Sequence, residues 1–194
     1  MEPELKKKSP AREVYEWLQT VVYVVLGMVL LFTFVIRVVA VSGPSMRETL
    51  QNDDQLLVVN GWLCGDYQKG DIVIFQKESF EDGEAIVKRV IATEGQTVDI
   101  DFGAGIVYVD GVPLDEPYIP EPTWLDEGVR FPLTVPEGSI FVMGDNRNNS
   151  KDSRHTDLGP VDTRHVIGKA VFLAIPGKSA ELDRVEWNRI GFLN

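Results

Sequence analysis

The sequence predicts a mainly β protein: one N-terminal transmembrane helix followed by an antiparallel, barrel- or sandwich-like β body. Three observations predict it. Residues 17–36 (WLQTVVYVVLGMVLLFTFVI) carry no charge. Short β-type runs punctuated by Gly, Pro and Asp fill the rest of the chain. Nothing after residue 40 reads as a long amphipathic helix, and many short strands without helices fold into a barrel or sandwich.

The uncharged segment spans about 30 Å as a helix, the thickness of a bilayer core. Its only polar side chains, Gln19 and Thr20, lie near its start, Trp17 stands where an interfacial aromatic belongs, and Arg37 closes the far end. Lys6, Lys7, Lys8 and Arg12 precede the span, while Arg37 and Arg47 are the near basic residues after it. The positive-inside rule therefore puts residues 1–16 in the cytoplasm as a basic tail, 17–37 in the cell membrane as a single-pass anchor, and 38–194 outside. Ala40-Val41-Ser42 has the small-x-small form of a cleavage site, but a removable leader has an apolar core of only about 7–15 residues. A retained anchor is the better reading.

The expected strands are 38–42, 55–60, 71–75, 85–92, 97–100, 105–109, 139–143 and 166–175. Asp110-Gly111 marks a hairpin turn. The stretch from about 101 to 138, rich in Gly, Pro and acid, reads as a smaller lobe or loops of the same body. The chain has 194 residues and a net charge of −11, which argues against nucleic acid as a partner. Residues 1–37 carry five basic and four acidic side chains, so the body holds a net −12. The single cysteine, Cys64, excludes an intrachain disulfide and a thiolate metal site, and no metal or other cofactor is expected.

Three polar segments stand out: SGPSMRETL (42–50), KGDIVIF to IVKRVIA (69–92) and MGDNRNNSKDSRH (143–155). Singly each has a structural reading: a plain turn, a snorkelling lysine, a loop whose side chains cap their own backbone. Together they offer the parts of peptide hydrolysis, which needs an activated hydroxyl and donors for an oxyanion. A lysine can act as the base where burial lowers its pKa. Lys88 has Ile86 and Val90 as same-face neighbours, and Arg89 has Val87 and Ile91, so alternation does not choose between them. Proton chemistry does, because an arginine does not give up its proton.

The ordered set of anchor, SGPSM, KGDIVIF, VKRV and GDNRNNSKDSR resembles the bacterial type I signal peptidases, particularly the compact Gram-positive form, from about Trp17 to Pro176. The resemblance implies a Ser/Lys-dyad serine endopeptidase with a β-rich body and a site near the membrane surface. Ser45 would be the nucleophile and its N–H an oxyanion donor, with Lys88 the general base and Ser150 the group orienting it. Asp152 with Arg154, and Asp145 with Arg89, would be supporting ion pairs, and Met46 a structural neighbour of the nucleophile. Phe75, Ile86 and Met143 would pack around the lysine. Implied partners are preprotein signal peptides with small residues at −1 and −3, bound as an added strand, together with the lipid bilayer and the nearby export machinery.

The chain departs from many members in carrying Glu48 where they have proline, Ala92-Thr93-Glu94-Gly95-Gln96 after the lysine strand, and Gly43 where Gram-negative members have a donor serine. Competing readings are a Ser/His/Asp protease using His155 or His165, a non-cleaving peptide-binding relative, and a soluble self-cleaving repressor.

Overall fold

A computed structural model describes residues 10–179 and 182–193. It divides into two units, residues 1–36 and 37–194. The basic cluster Lys6–Lys8 lies outside the described residues.

The first unit is α1 (Pro10–Phe34), long and apolar enough to cross a bilayer, with none of its residues buried. The helix begins seven residues before the uncharged segment. Pro10 stands at its first position, where a missing N–H costs nothing, and Arg12 pairs with Glu16 one turn on. Its apolar stretch ends in a strand-forming run, and β1 (Ile36–Ala40) starts two residues earlier than the expected 38–42.

The second unit holds two sheets. The larger contains β1, β2 (Gln55–Asn60), β3 (Ile72–Gln76), β4 (Ala85–Thr93), β9 (Ser139–Met143), β10 (Val161–Asp162), β11 (Val166–Ile175) and β12 (Gly191–Phe192), in the order β1-β2-β11-β3-β4-β9-β10. β12, which the pattern did not suggest, pairs with the second half of β11 beyond the end of β3. The smaller sheet is β7-β6-β5-β8, built from β5 (Thr97–Asp101), β6 (Ile106–Val109), β7 (Val112–Pro113) and β8 (Leu133–Thr134). It corresponds to the expected smaller lobe but begins a few residues earlier. Asp110 and Gly111, both at positive φ, make the β6–β7 turn, the backbone that a two-residue hairpin demands.

Alternation along the strands sorts the body into three apolar clusters. Met46, Leu50, Leu56, Val58, Ile72 and Ile74 belong to the first. Val73, Phe75, Phe80, Val90 and Val142 belong to the second, with Ile86 packed against it. Ile91, Val98, Phe141 and Met143 belong to the third. The register of β3 on β4 sets Val73 opposite Lys88 and Phe75 opposite Ile86. Lys88 thus shares a face with the second cluster, and Arg89 points the other way.

Candidate active site

The loop between β1 and β2 is closed at its base by Val41 N–H to Asp54 O and Asp53 N–H to Val41 O. Within it, Arg47 N–H donates to Pro44 O, and Thr49 and Leu50 N–H both donate to Met46 O. Met46 and Leu50 are buried in the first cluster and draw this turn inward, which leaves Ser45 half-buried on its outer side. Gly43, at φ +85°, hands its N–H to Asn52 Oδ1 at 3.0 Å. The Ser45 N–H makes no hydrogen bond among the described residues. Glu48 sits at φ +84°, a conformation closed to proline, so this turn follows a different path from one with proline there.

β4 brings Lys88 to this turn. Its Nζ lies 2.7 Å from Ser45 Oγ and 3.2 Å from Val87 O. The side chain is 2% exposed. Burial lowers the pKa of the amine to about 8, and this outweighs Asp152, Glu81 and Glu127, whose charges raise it. A pKa this far below that of a free lysine leaves a usable neutral fraction at mildly alkaline pH, and a neutral amine hydrogen-bonded to a hydroxyl is the arrangement that lets it take the hydroxyl's proton.

The GDNRNNSKDSR loop wraps this pair. Asn146 N–H donates to Ser45 O at 3.0 Å, and its Nδ2 donates to Pro44 O. Asp152 is fully buried and accepts from Gly144 N–H, Ser150 Oγ and, through both of its oxygens, Arg154. Burial opposes its ionisation, but the Arg154 guanidinium holds its pKa below the usual carboxylate value. On the opposite face of β4, Arg89 grips Asp145 with two hydrogen bonds of 2.9 and 2.8 Å, donates to Gly70 O and lies 4.0 Å over the Tyr118 ring. Both expected ion pairs are therefore present.

Two expectations need correction. The hydrogen bond of the Ser150 hydroxyl goes to Asp152 at 3.0 Å, while the amine of Lys88 is bonded to Ser45 and Val87. Ser150 lines the same cleft but holds the carboxylate behind the lysine rather than the lysine itself. Met143 pairs with Arg89 and packs in the third cluster, away from the lysine's face. Val142, one residue earlier, pairs with Val90 and takes that place, because a step of one residue along a strand changes sides. Phe75 and Ile86 lie on the lysine's face, and Met46 is buried beneath the turn, as expected.

Reading the sequence missed Gly144. A Cβ there would meet Ser150 Oγ at 2.2 Å and Ser45 O at 2.5 Å, so only glycine lets these segments close up. It also missed Thr49, which donates to Asp145, and Arg147, which pairs with Glu116 and donates to Gly144 O. Glycine before Asp-Asn-Arg was visible in the motif; its tertiary crowding was not.

The Ser45–Lys88 pair opens into a cleft of about 300 Å³. A larger cavity of about 1100 Å³, lined by residues such as Trp62, Tyr67 and His165, brings no hydroxyl to a lysine amine among its described residues, so the smaller cleft is the candidate site. Neither His155 nor His165 lines that cleft, and His155 packs edge-on against Phe80. Among the described residues no group of three or more His, Cys, Asp or Glu side chains is placed to hold a metal ion.

The family described as signal peptidase, peptidase S26, matches residues 14–175. The chain is 39% identical over 178 residues to a probable signal peptidase I-1 of Synechocystis sp., covering 88% of this chain and 83% of that one. It is 34% identical over 181 residues to a signal peptidase I of Bacillus licheniformis, covering 89% and 95%. A solved signal peptidase I from Enterococcus faecalis V583 aligns with 34% identity and a TM-score of 0.44, over 54% of this chain and 96% of that one.

Proposed function

Because the chain belongs to the S26 signal peptidase family of serine endopeptidases, we propose that it removes signal peptides from preproteins with Ser45 as nucleophile and Lys88 as general base. The observation that carries the assignment is the 2.7 Å contact between Ser45 Oγ and a lysine amine that is almost wholly buried.

In this reading the neutral amine takes the Ser45 proton as Oγ attacks the scissile carbonyl. The oxyanion that forms meets the free Ser45 N–H. The Lys88 ammonium then protonates the departing amine, leaving an acyl-enzyme. Lys88 next draws a proton from water, water attacks the ester, and Ser45 recovers its hydroxyl. The buried Asp152–Arg154 pair fixes the loop around the lysine.

The substrate lies between the segment before Ser45 and the first half of β4. Residues Ala85–Lys88 pair with β3, but among the described residues no strand lies on their other side, where β9 flanks Arg89–Thr93. An extended peptide added along that edge presents alternate side chains to the cleft, which suits small residues at −1 and −3. The N-terminal apolar helix supports membrane anchoring. The proposed topology puts the N-terminus in the cytoplasm and the β body outside, at the bilayer and close to the export machinery. Protease added to wall-stripped cells should degrade the body and spare the tail; a protected body overturns that orientation.

The test of the activity is cleavage of a preprotein by the full-length protein. Ser45→Ala and Lys88→Ala should each abolish it, whereas His155→Ala and His165→Ala should retain most of it. Loss in a folded histidine variant, with Lys88→Ala still active, would replace this mechanism by a Ser/His/Asp one.

A further inference from the structure

The cleft that holds Ser45 and Lys88 has a charged rim that the chemistry does not use. Glu81 and Glu84 line one side of it and Lys151 the other. Lys151 Nζ lies 2.9 Å from Glu81 Oε1, and the two side chains are 62% and 44% exposed. The ion pair therefore links the two segments that flank the cleft, in a position where an arriving peptide can compete for either partner.

The segment that carries Glu81 is built to put it there. Phe80 is buried in the second cluster. Gln76 Nε2 donates to Gly83 O, Lys77 Nζ donates to Leu158 O, and the turn is closed by Gly83 N–H to Phe80 O. Immediately after Phe80, Glu81, Asp82 and Gly83 all have positive φ, at 46°, 54° and 72°. Two non-glycine residues in succession in the left-handed region cost energy that a plain surface turn would avoid. At this turn the Glu81 side chain lines the cleft, where Lys151 meets its carboxylate. Its charge also reaches Lys88, where it is among those that raise the pKa.

From this arrangement we propose that Glu81, with Lys151 as its displaceable partner, sets a charge preference for the substrate side chains at −2 and +1. The proposal rests on the Ser45–Lys88 reading. In an extended peptide the residues at −1 and −3 share one face, so −2 and +1 point the opposite way, toward the open mouth. A basic side chain there replaces Lys151 on Glu81. An acidic one faces Glu81 and Glu84 together. An exposed pair is weak enough to be exchanged without much loss.

The experiment compares kcat/KM of the full-length protein on signal-peptide substrates with Ala at −1 and −3 and Lys, Gln or Glu at −2 or +1. The Lys peptide should exceed the Glu peptide by about 3- to 5-fold at one or both positions, the scale of an exposed ion pair. Glu81→Gln should collapse that ratio and Glu81→Lys should invert it. A variant that merely distorts the loop changes all rates together and leaves the ratio alone. A ratio of one in the unaltered protein, or one unchanged by Glu81→Lys, overturns the proposal. If Gln-peptide cleavage still depends on Ser45 and Lys88, only the charge preference has failed. If Ser45→Ala still cleaves, the site reading has failed as well.

Discussion

Lys88 and Arg89 are neighbours on β4, each 2% exposed, yet their surroundings treat charge in opposite ways. Arg89 meets a carboxylate with two hydrogen bonds, a carbonyl and an aromatic face. Lys88 meets a hydroxyl, a carbonyl and the second apolar cluster, with its nearest charges set one layer back. Burial alone thus does not decide whether a cation survives inside this protein. For the lysine, whose amine can give up its proton, an anion in contact would decide; the arginine stays charged in any setting, and its anion decides whether that buried charge is tolerated. The same strand holds one cation as a brace and lowers the pKa of the other to about 8, and the two-residue alternation of the strand keeps them apart.

The sharpest way to break this comparison is Lys88→Arg. An arginine stays protonated, so peptide cleavage should fall by at least about 100- to 10,000-fold, the worth of a general base. A folded variant with near-normal turnover would mean that Lys88 need not be neutral. On the Arg89 side, Asp145→Ala strips a buried guanidinium of its partner and should destabilise the protein by about 3–5 kcal/mol in denaturant unfolding. A loss under 1 kcal/mol would place Arg89 in a wetter setting than its burial indicates.

Stability against pH sharpens the contrast. The folded pKa of Lys88 is lowered from 10.5 to about 8, so the unfolded chain binds more protons between those values and stability rises with pH across that window. Below it the penalty is fully present, at roughly 3 kcal/mol. Lys88→Met should therefore stabilise the protein at pH 7 by up to that amount, with the gain fading as pH rises from about 8 to 10.5. Equal stability of the two proteins at pH 7 would contradict the desolvation of the lysine. The smallest effect concerns the second layer. Asp152 is the first of the charges that raise the lysine's pKa, so Asp152→Asn should move the rising limb of kcat/KM below about 8. An upward movement of the limb would show that the loop's geometry, not its charge, dominates.

The anchor and the strands of the larger sheet were legible because burial imposes periodicity on sequence. The long motifs around Ser45 and Lys88 singled out that pair, and the structure brings the two side chains to 2.7 Å. Less visible was anything set by closure in three dimensions. Met143 and Val142 differ by one position in an all-apolar run, where hydropathy carries no parity, and only the pairing with Arg89 and Val90 shows which faces the lysine. Gly144 acquires its importance from Ser45 and Ser150 arriving from different segments. Arg189 grips Asp54, a fully buried carboxylate in the loop that carries Ser45, and no local pattern joins residues so far apart in the chain.

The half-open edge of β4 has a consequence beyond catalysis. A bare run of strand backbone is the usual seed of aggregation, and proteins ordinarily blunt such edges with proline, a bulge or a charge pointing inward. Here Ala85–Lys88 cannot be blunted without losing the place where an extended peptide would lie. Its safeguard has to stand beside it instead. The two glutamates and the lysine at the cleft mouth fill that position: another copy's apolar strand approaching the edge must displace hydrated charges, whereas a single flexible chain can thread between them. If the peptide binds along this edge as proposed, the same few side chains would govern both colloidal stability and substrate access.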